Sequence, residues 1–253
     1  MAIEITAPTN LSQAKKYLKK KFTPLAGGTT LLLHRQKDIQ LLDLSKLNLS
    51  YIKFQEKSVR LGAMTTISEL LEEQKLNEIF GGLIPRALLT IGSTLNRNMI
   101  TVGGNIVGIH PWSVLPGLLL LLDAHIKTIP KKSYPAKRFF SQSPKNILKN
   151  DLVTEIEIPL IHQNASGGWE KISPTETDYP LVSVGALKLN KNIRLVAVGL
   201  TLLPQLFEVN SDNIPDEIGA VVPRVRISRD IRVSVEYKRE ILKALFMDVI
   251  PRD

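Results

Sequence analysis

The segment Arg97-Asn-Met-Ile-Thr-Val-Gly-Gly-Asn-Ile-Val-Gly108 constrains this 253-residue chain more than any other. Two adjacent glycines lie between β-branched residues, with a hydroxyl at Thr101 before them and an amide at Asn105 after them. Backbone without Cβ can take positive φ and let a bulky ligand approach its N–H groups. Leu25-Ala-Gly-Gly-Thr-Thr-Leu-Leu-Leu33 repeats the theme, again with hydroxyls behind a glycine pair. Thr29 and Thr30 stand where a helix would start, so free N–H groups and the helix dipole would favour a phosphate there. Both turns are read as gripping one extended, phosphate-bearing cofactor.

Around these turns the pattern mixes strands and helices without a regular βαβ alternation, which predicts an α+β fold. Strands are expected at 2–6, 22–26, 39–43, 58–61, 126–129 and 152–158. A pair at 181–189 and 193–203 is joined near Asn190-Lys191-Asn192. Asn10 or Ser12 caps a helix through Lys20, Thr65 or Thr66 caps one through Leu76, and Ser234 caps a final amphipathic helix. Another helix is expected over 84–91, and Gly167-Gly168 marks a boundary.

Other chemistries are excluded by what is missing. With no cysteine, the chain offers no disulfide, no thiolate zinc site and no ligand for an iron–sulfur cluster. It contains no Gly-x-Gly-x-x-Gly, Walker loop, His-Glu-x-x-His or Gly-x-Ser-x-Gly. The four histidines lack metal-ligand spacing, and no acid–base or nucleophile set is visible, so no catalytic residue and no metal ligand is assigned. Val114–Leu122, the longest apolar run, contains Pro116 and Gly117 and is far too short to span a bilayer. Met1-Ala-Ile-Glu-Ile lacks the basic start of a secretory signal, which predicts a cytoplasmic protein. The net charge of +9 is grouped at Lys15–Lys21, Lys127–Lys149 and Arg224–Arg239. These clusters lack interleaved aromatics, so solvated faces or contact with acidic partner subunits fit better than nucleic acid.

Ala26-Gly-Gly-Thr-Thr-Leu31 resembles the first flavin motif of the FAD-binding medium subunits of molybdenum hydroxylases. These are the subunits of the carbon monoxide dehydrogenase and xanthine dehydrogenase type. Arg97-Asn98 with Thr101-Val-Gly-Gly-Asn105 is similar to their second motif. Pro111, Leu118–Leu122, Asp123-Ala124, Phe139-Phe140, Ile156-Glu-Ile-Pro159, Lys171 and Asp178-Tyr-Pro-Leu-Val-Ser-Val-Gly-Ala186 continue the pattern in order. Asp230-Ile-Arg-Val-Ser-Val-Glu-Tyr-Lys-Arg239 looks like the family's entry into its C-terminal helix.

The resemblance implies an FAD-binding region in two subdomains, 1–54 and 55–163, of the vanillyl-alcohol-oxidase (PCMH) type. A smaller α+β domain of the carbon monoxide dehydrogenase flavoprotein type follows at 164–253. By position, Leu25, Ala26, Gly27, Gly28, Thr29, Thr30 and Leu31 would wrap the pyrophosphate and ribityl of FAD. Thr101, Gly103, Gly104, Asn105, Val107 and Gly108 would line the other side, with Ser113 and Val114 nearby. Leu152 and Val153 match residues at the flavin edge, and Lys171 a basic residue near the ring. Departures fall at Val114, where relatives usually carry aspartate, and at Thr30, Ile100 and Thr175. The implied function is electron transfer within a molybdenum hydroxylase. Electrons would arrive from a molybdopterin large subunit through an iron–sulfur small subunit and leave to NAD or a quinone. The alternatives are a stand-alone flavin oxidoreductase of the same fold and a flavin-free structural subunit.

Overall fold

Short-range side-chain caps start several of the helices. In the computed structural model, which describes residues 4–31 and 39–252, the elements run as follows. Strand β1 (Glu4–Thr6), helix α1 (Leu11–Lys19), β2 (Thr23–Leu25) and β3 (Gln40–Asp43) come first, then β4 (Ile52–Phe54) and β5 (Ser58–Gly62). Helices α2 (Ile67–Glu72), α3 (Gln74–Glu78), α4 (Leu83–Leu89), α5 (Thr94–Met99), α6 (Val102–Val107) and α7 (Val114–Leu121) follow without an intervening strand. Strands β6 (His125–Ile129) and β7 (Lys132–Pro135), helices α8 (Ala136–Phe139) and α9 (Pro144–Leu148), and strands β8 (Leu152–Pro159) and β9 (Gly167–Ile172) come next. The chain closes with β10 (Val182–Leu189), β11 (Asn192–Val198), β12 (Gln205–Asn210), α10 (Ile214–Val221) and α11 (Val235–Val249).

Asn10, rather than Ser12, caps α1 by accepting from Gln13 N, and Ala14 and Leu18 form its buried face. Thr66, rather than Thr65, caps α2 in a reciprocal box with Glu69. Thr65 is buried and exchanges hydrogen bonds with the backbone of Tyr51. The single helix expected through Leu76 breaks at Glu73, whose extended backbone starts α3. The basic connection before residue 150 holds β7, α8 and α9, and the strand expected to run to Leu203 stops at Val198, with β12 following. The helix expected from Thr29 falls mostly on 32–38, outside the described residues; Thr29–Leu31 form a turn.

Three sheets result. The first is parallel, in the order β1-β3-β2. The second is antiparallel, β4-β5-β8-β6-β7, and the third antiparallel, β12-β11-β10-β9. This is the expected α+β class. On the second sheet Lys127 lies 2.9 Å from Glu155 and 2.7 Å from Glu157. Part of the basic cluster is thereby paired instead of solvated.

Helix α7 joins the second and third sheets. All eight of its residues are buried, as an element apolar on every side must be. At Gly117 an added Cβ would lie 2.6 Å from Val198 and 3.2 Å from Trp169, so bare backbone sets the spacing between α7 and β11. One continuous core therefore holds Val59 and Ile156 of the second sheet together with Trp169, Val196 and Val198 of the third. Gly167-Gly168 lies inside β9, where added Cβ atoms would strike Leu83 and the Val249 carbonyl. Close packing, not a flexible link, accounts for that pair.

Candidate cofactor site

The chain reverses from β2 into the first glycine pair. Leu25 ends the strand and its carbonyl accepts from Leu44 N at 3.1 Å. Ala26 packs on the small core beneath the first sheet. Gly28 sits at φ +70°, a conformation that favours glycine. Among the described residues, the N–H groups of Gly27, Gly28, Thr29 and Thr30 meet no acceptor. All four residues are partly exposed. A row of unspent donors on accessible backbone is an anion-facing surface.

The second glycine pair behaves differently, which corrects the expectation of an open turn. Gly103 and Gly104 lie in the first turn of α6, and neither has positive φ. Their donors are committed. Val102 N donates to Thr65 O at 2.9 Å, Gly103 N to Ala63 O at 2.8 Å, Gly104 N to Thr101 Oγ1 at 3.1 Å and Asn105 N to Thr101 O at 2.9 Å. The usual orphan donors of a helix start are thus satisfied within the chain. What the glycines provide is proximity. A Cβ on Gly103 would lie 2.9 Å from both the Cβ and the carbonyl oxygen of Ala63.

The two segments meet. A Cβ on Gly27 would fall 1.6 Å from the carbonyl oxygen of Met99, two residues before the α6 cap. A Cβ on Gly104 would stand 3.8 Å from that of Ala26. Gly104 is exposed, so a side chain there would fill the space beside Ala26 and crowd the Thr101 hydroxyl at 2.8 Å. Thr101 Oγ1 accepts from Gly104 N, and its own proton has no acceptor among the described residues. Asn105 Oδ1 is buried with no hydrogen-bond partner. Leaving a buried polar atom unmatched costs about 1–3 kcal/mol.

The remaining expected residues are placed less directly. Val107 packs against the main core, and Gly108 N closes the helix on Gly104 O at 2.9 Å. Ser113 is buried and its hydroxyl accepts from His110 N at 3.0 Å. Val114 opens α7 at 2% exposure, so its side chain joins the core where an aspartate would have to be solvated or bonded. Leu152 and Val153 are buried in β8, Leu152 against the core of the first sheet and Val153 in the main core. The neighbouring Thr154 carbonyl accepts from Ala63 N, one residue pair from Gly103. Lys171 instead directs its ammonium to the carbonyls of Thr90, Glu176 and Asp178, and burial pushes its pKa down. No hydrogen bond joins it to either glycine pair among the described residues.

Arg97 and Asn98 serve the scaffold. Arg97 binds the carbonyls of Ile91 and Gly92 and the hydroxyl of Thr94, and Asn98 accepts from Ser68. Sequence reasoning missed an aromatic stack beside the α6–α7 loop. His110 lies parallel to Trp112 at 4.8 Å, and Trp112 stacks on Tyr179 at 4.3 Å. The aromatic character of these residues was visible in the sequence, but their meeting across the fold was not.

Comparison with known proteins identifies the family and the fold. Residues 1–161 match the family model described as the FAD binding domain in molybdopterin dehydrogenase. The chain is 32% identical to the glyceraldehyde dehydrogenase medium chain of Sulfolobus acidocaldarius, over 94% of this chain and 93% of that one. It is 26% identical to the carbon monoxide dehydrogenase medium chain of Hydrogenophaga pseudoflava, over 70% of this chain and 65% of that one. Carbon monoxide dehydrogenase from the same organism shares the fold with a TM-score of 0.88 at 20% identity, covering 98% and 96% of the two chains. Quinoline 2-oxidoreductase from Pseudomonas putida 86 does so at 0.84 and 18% identity, covering 98% and 95%. Among the described residues no helix is long and apolar enough to cross a membrane. With the ordered motifs and the family match in agreement, the chain belongs to the FAD-binding subunits of the molybdenum hydroxylase family and is an oxidoreductase subunit with FAD as its cofactor.

Proposed function

We propose that the chain relays electrons inside a molybdenum hydroxylase, receiving them from an iron–sulfur small subunit that is supplied by a molybdopterin large subunit. An external acceptor, NAD or a quinone, would then take them away from the cytoplasmic complex. The observation that supports this reading is the contact of Gly27 with the Met99 carbonyl, which brings two remote segments side by side. In this reading residues 1–54 and 55–163 hold the cofactor between them, and 164–253 complete the subunit.

The division of labour follows from the two segments. The N–H groups of Gly27–Thr30 bind the pyrophosphate, since they are the unspent donors. Thr101 gives its free hydroxyl proton to a ligand oxygen while its lone pair keeps the helix cap. Asn105 gains through Oδ1 the partner it lacks. Bare backbone at Gly104 leaves room for the ribityl chain. When bound, FAD supplies the redox chemistry, and the protein sets its position, potential and access.

Two measurements test the reading. Purified protein should carry stoichiometric FAD by its visible absorbance. It should pass electrons to an acceptor only in the presence of the iron–sulfur and molybdopterin subunits. Turnover by the isolated chain would instead identify a stand-alone oxidoreductase, and a colourless complex of full activity would identify a structural subunit.

A further inference from the structure

Helix α7 ends against a cavity of about 260 Å³ whose lining includes neither glycine pair. Its walls come from three parts of the fold. Leu121 and Asp123 close α7, and His125, Lys137 and His162 belong to the second sheet and its connections. Leu187 and Arg194 stand on β10 and β11 of the third sheet. Clefts between lobes are where small molecules are preferentially held. At the packing density of a protein interior, about 0.75, this space accepts roughly ten non-hydrogen atoms.

The lining divides by polarity. Phe80, Leu121, Leu122 and Leu187 supply apolar wall, and four of the five charged or titratable side chains are basic. Arg194 directs Nη1 to the Leu121 carbonyl, at 3.2 Å, and to Asp123, at 2.6 Å. Glu208, outside the lining, approaches its Nε at 3.7 Å. No hydrogen bond engages Nη2 among the described residues. The side chains of His125, Lys137 and His162 make no hydrogen bond or ion pair among the described residues. Asp123 therefore offsets Arg194, and the cavity keeps the positive charge of Lys137 beside two imidazoles, each with an N–H to donate. One wall is also strained. Phe80, in the turn before α4, is 1% exposed and sits at φ +55°, a conformation that bulky side chains avoid. Its N–H donates to the Gln163 carbonyl at 2.7 Å, next to His162. Backbone held in this way concentrates at ligand sites.

We infer that this cavity binds a small amphiphilic monocarboxylate. Its hydrocarbon body lies on Phe80, Leu121 and Leu187, and its head among Lys137, His125, His162 and Nη2 of Arg194. One uncompensated positive charge matches a monoanion better than a phosphate dianion. A wholly apolar ligand would bury the polar side chains without giving them partners. Because its walls belong to the second and third sheets, a bound ligand stabilises the join that α7 makes between them. The site goes beyond the electron-relay reading and does not depend on it.

The probe is octanoate, titrated calorimetrically into the full chain and into the assembled dehydrogenase complex. It should bind at one site and raise the melting temperature. It should also bind about tenfold more tightly than 1-octanol, which lacks the charged head, or acetate, which lacks the body. Lys137→Glu should weaken octanoate binding about tenfold, whereas Lys137→Arg keeps it. His125→Trp should fill the cavity and abolish binding. FAD content should stay at the wild-type level in all three variants, since no glycine-pair residue lines the cavity. Failure of octanoate to bind, equal affinity for acetate or 1-octanol, or wild-type affinity in both Lys137→Glu and His125→Trp would overturn the site. Binding to the free chain that vanishes in the assembled complex would overturn it too, by marking the cavity as a subunit contact. Each of these results leaves the electron-relay reading standing, and a chain that carries no FAD would strike that reading alone.

Discussion

The two glycine pairs share a dipeptide and do opposite things. Gly27-Gly28 presents backbone donors that meet no acceptor among the described residues, whereas every N–H at the start of α6 is consumed within the chain. The first pair leaves its donors unpaired, the second spends them on its own helix start, and each has one glycine pressed against neighbouring backbone. The difference lies in their surroundings. Gly27-Gly28 leaves the end of a parallel strand on partly exposed backbone. Gly103-Gly104 is pressed against β5 through Ala63. A glycine pair followed by polar residues therefore marks a place where backbone comes close to something. Only the fold says whether that something is a ligand or another strand.

The largest test of this contrast is Gly27→Ala. Its Cβ would overlap a backbone carbonyl that cannot rotate away. It should cost more than about 3 kcal/mol in denaturant titration and abolish FAD retention, because relief requires the two segments to part. Gly103→Ala should cost about 1–3 kcal/mol, equally in the FAD-free and FAD-loaded protein, with partial rescue by Ala63→Gly. An effect confined to the loaded form would show that the second pair also faces the ligand. Thr101→Ala should cost about 1 kcal/mol through the lost cap, while Thr101→Ser keeps both stability and FAD. The smallest expected change is Asn105→Ala. Stability of the FAD-free protein should stay within about 0.5 kcal/mol, since an unmatched oxygen is removed along with the packing. FAD affinity, read by fluorescence titration, should drop about three- to tenfold.

What could be read from the sequence was what is local. Asn10, Thr66 and Ser234 cap helices through bonds spanning three residues, so their signal is complete within one turn. The long apolar strands β8, β10 and β11 announced themselves by burial alone. Helix α6 did not, because a glycine pair is a poor helix former and tertiary contact with Ala63 overrides that preference. Strand β12 lies at a sheet edge and its exposed residues blur the alternation. The motifs named two remote segments that the fold brings together, since Ala26, Gly27, Met99 and Gly104 converge. The Met99 carbonyl that defines the approach had no sequence signal, for its side chain is irrelevant to the contact.

Helix 114–121 carries a further consequence. Because its apolar surface is divided between the flavin-family region and the last sheet, neither half is a self-sufficient module. A chain cut after residue 163 would leave one flank of this leucine cylinder wet, and would be expected to aggregate rather than bind FAD on its own. Swapping flavin modules between relatives should therefore succeed only when the final ninety or so residues travel with them.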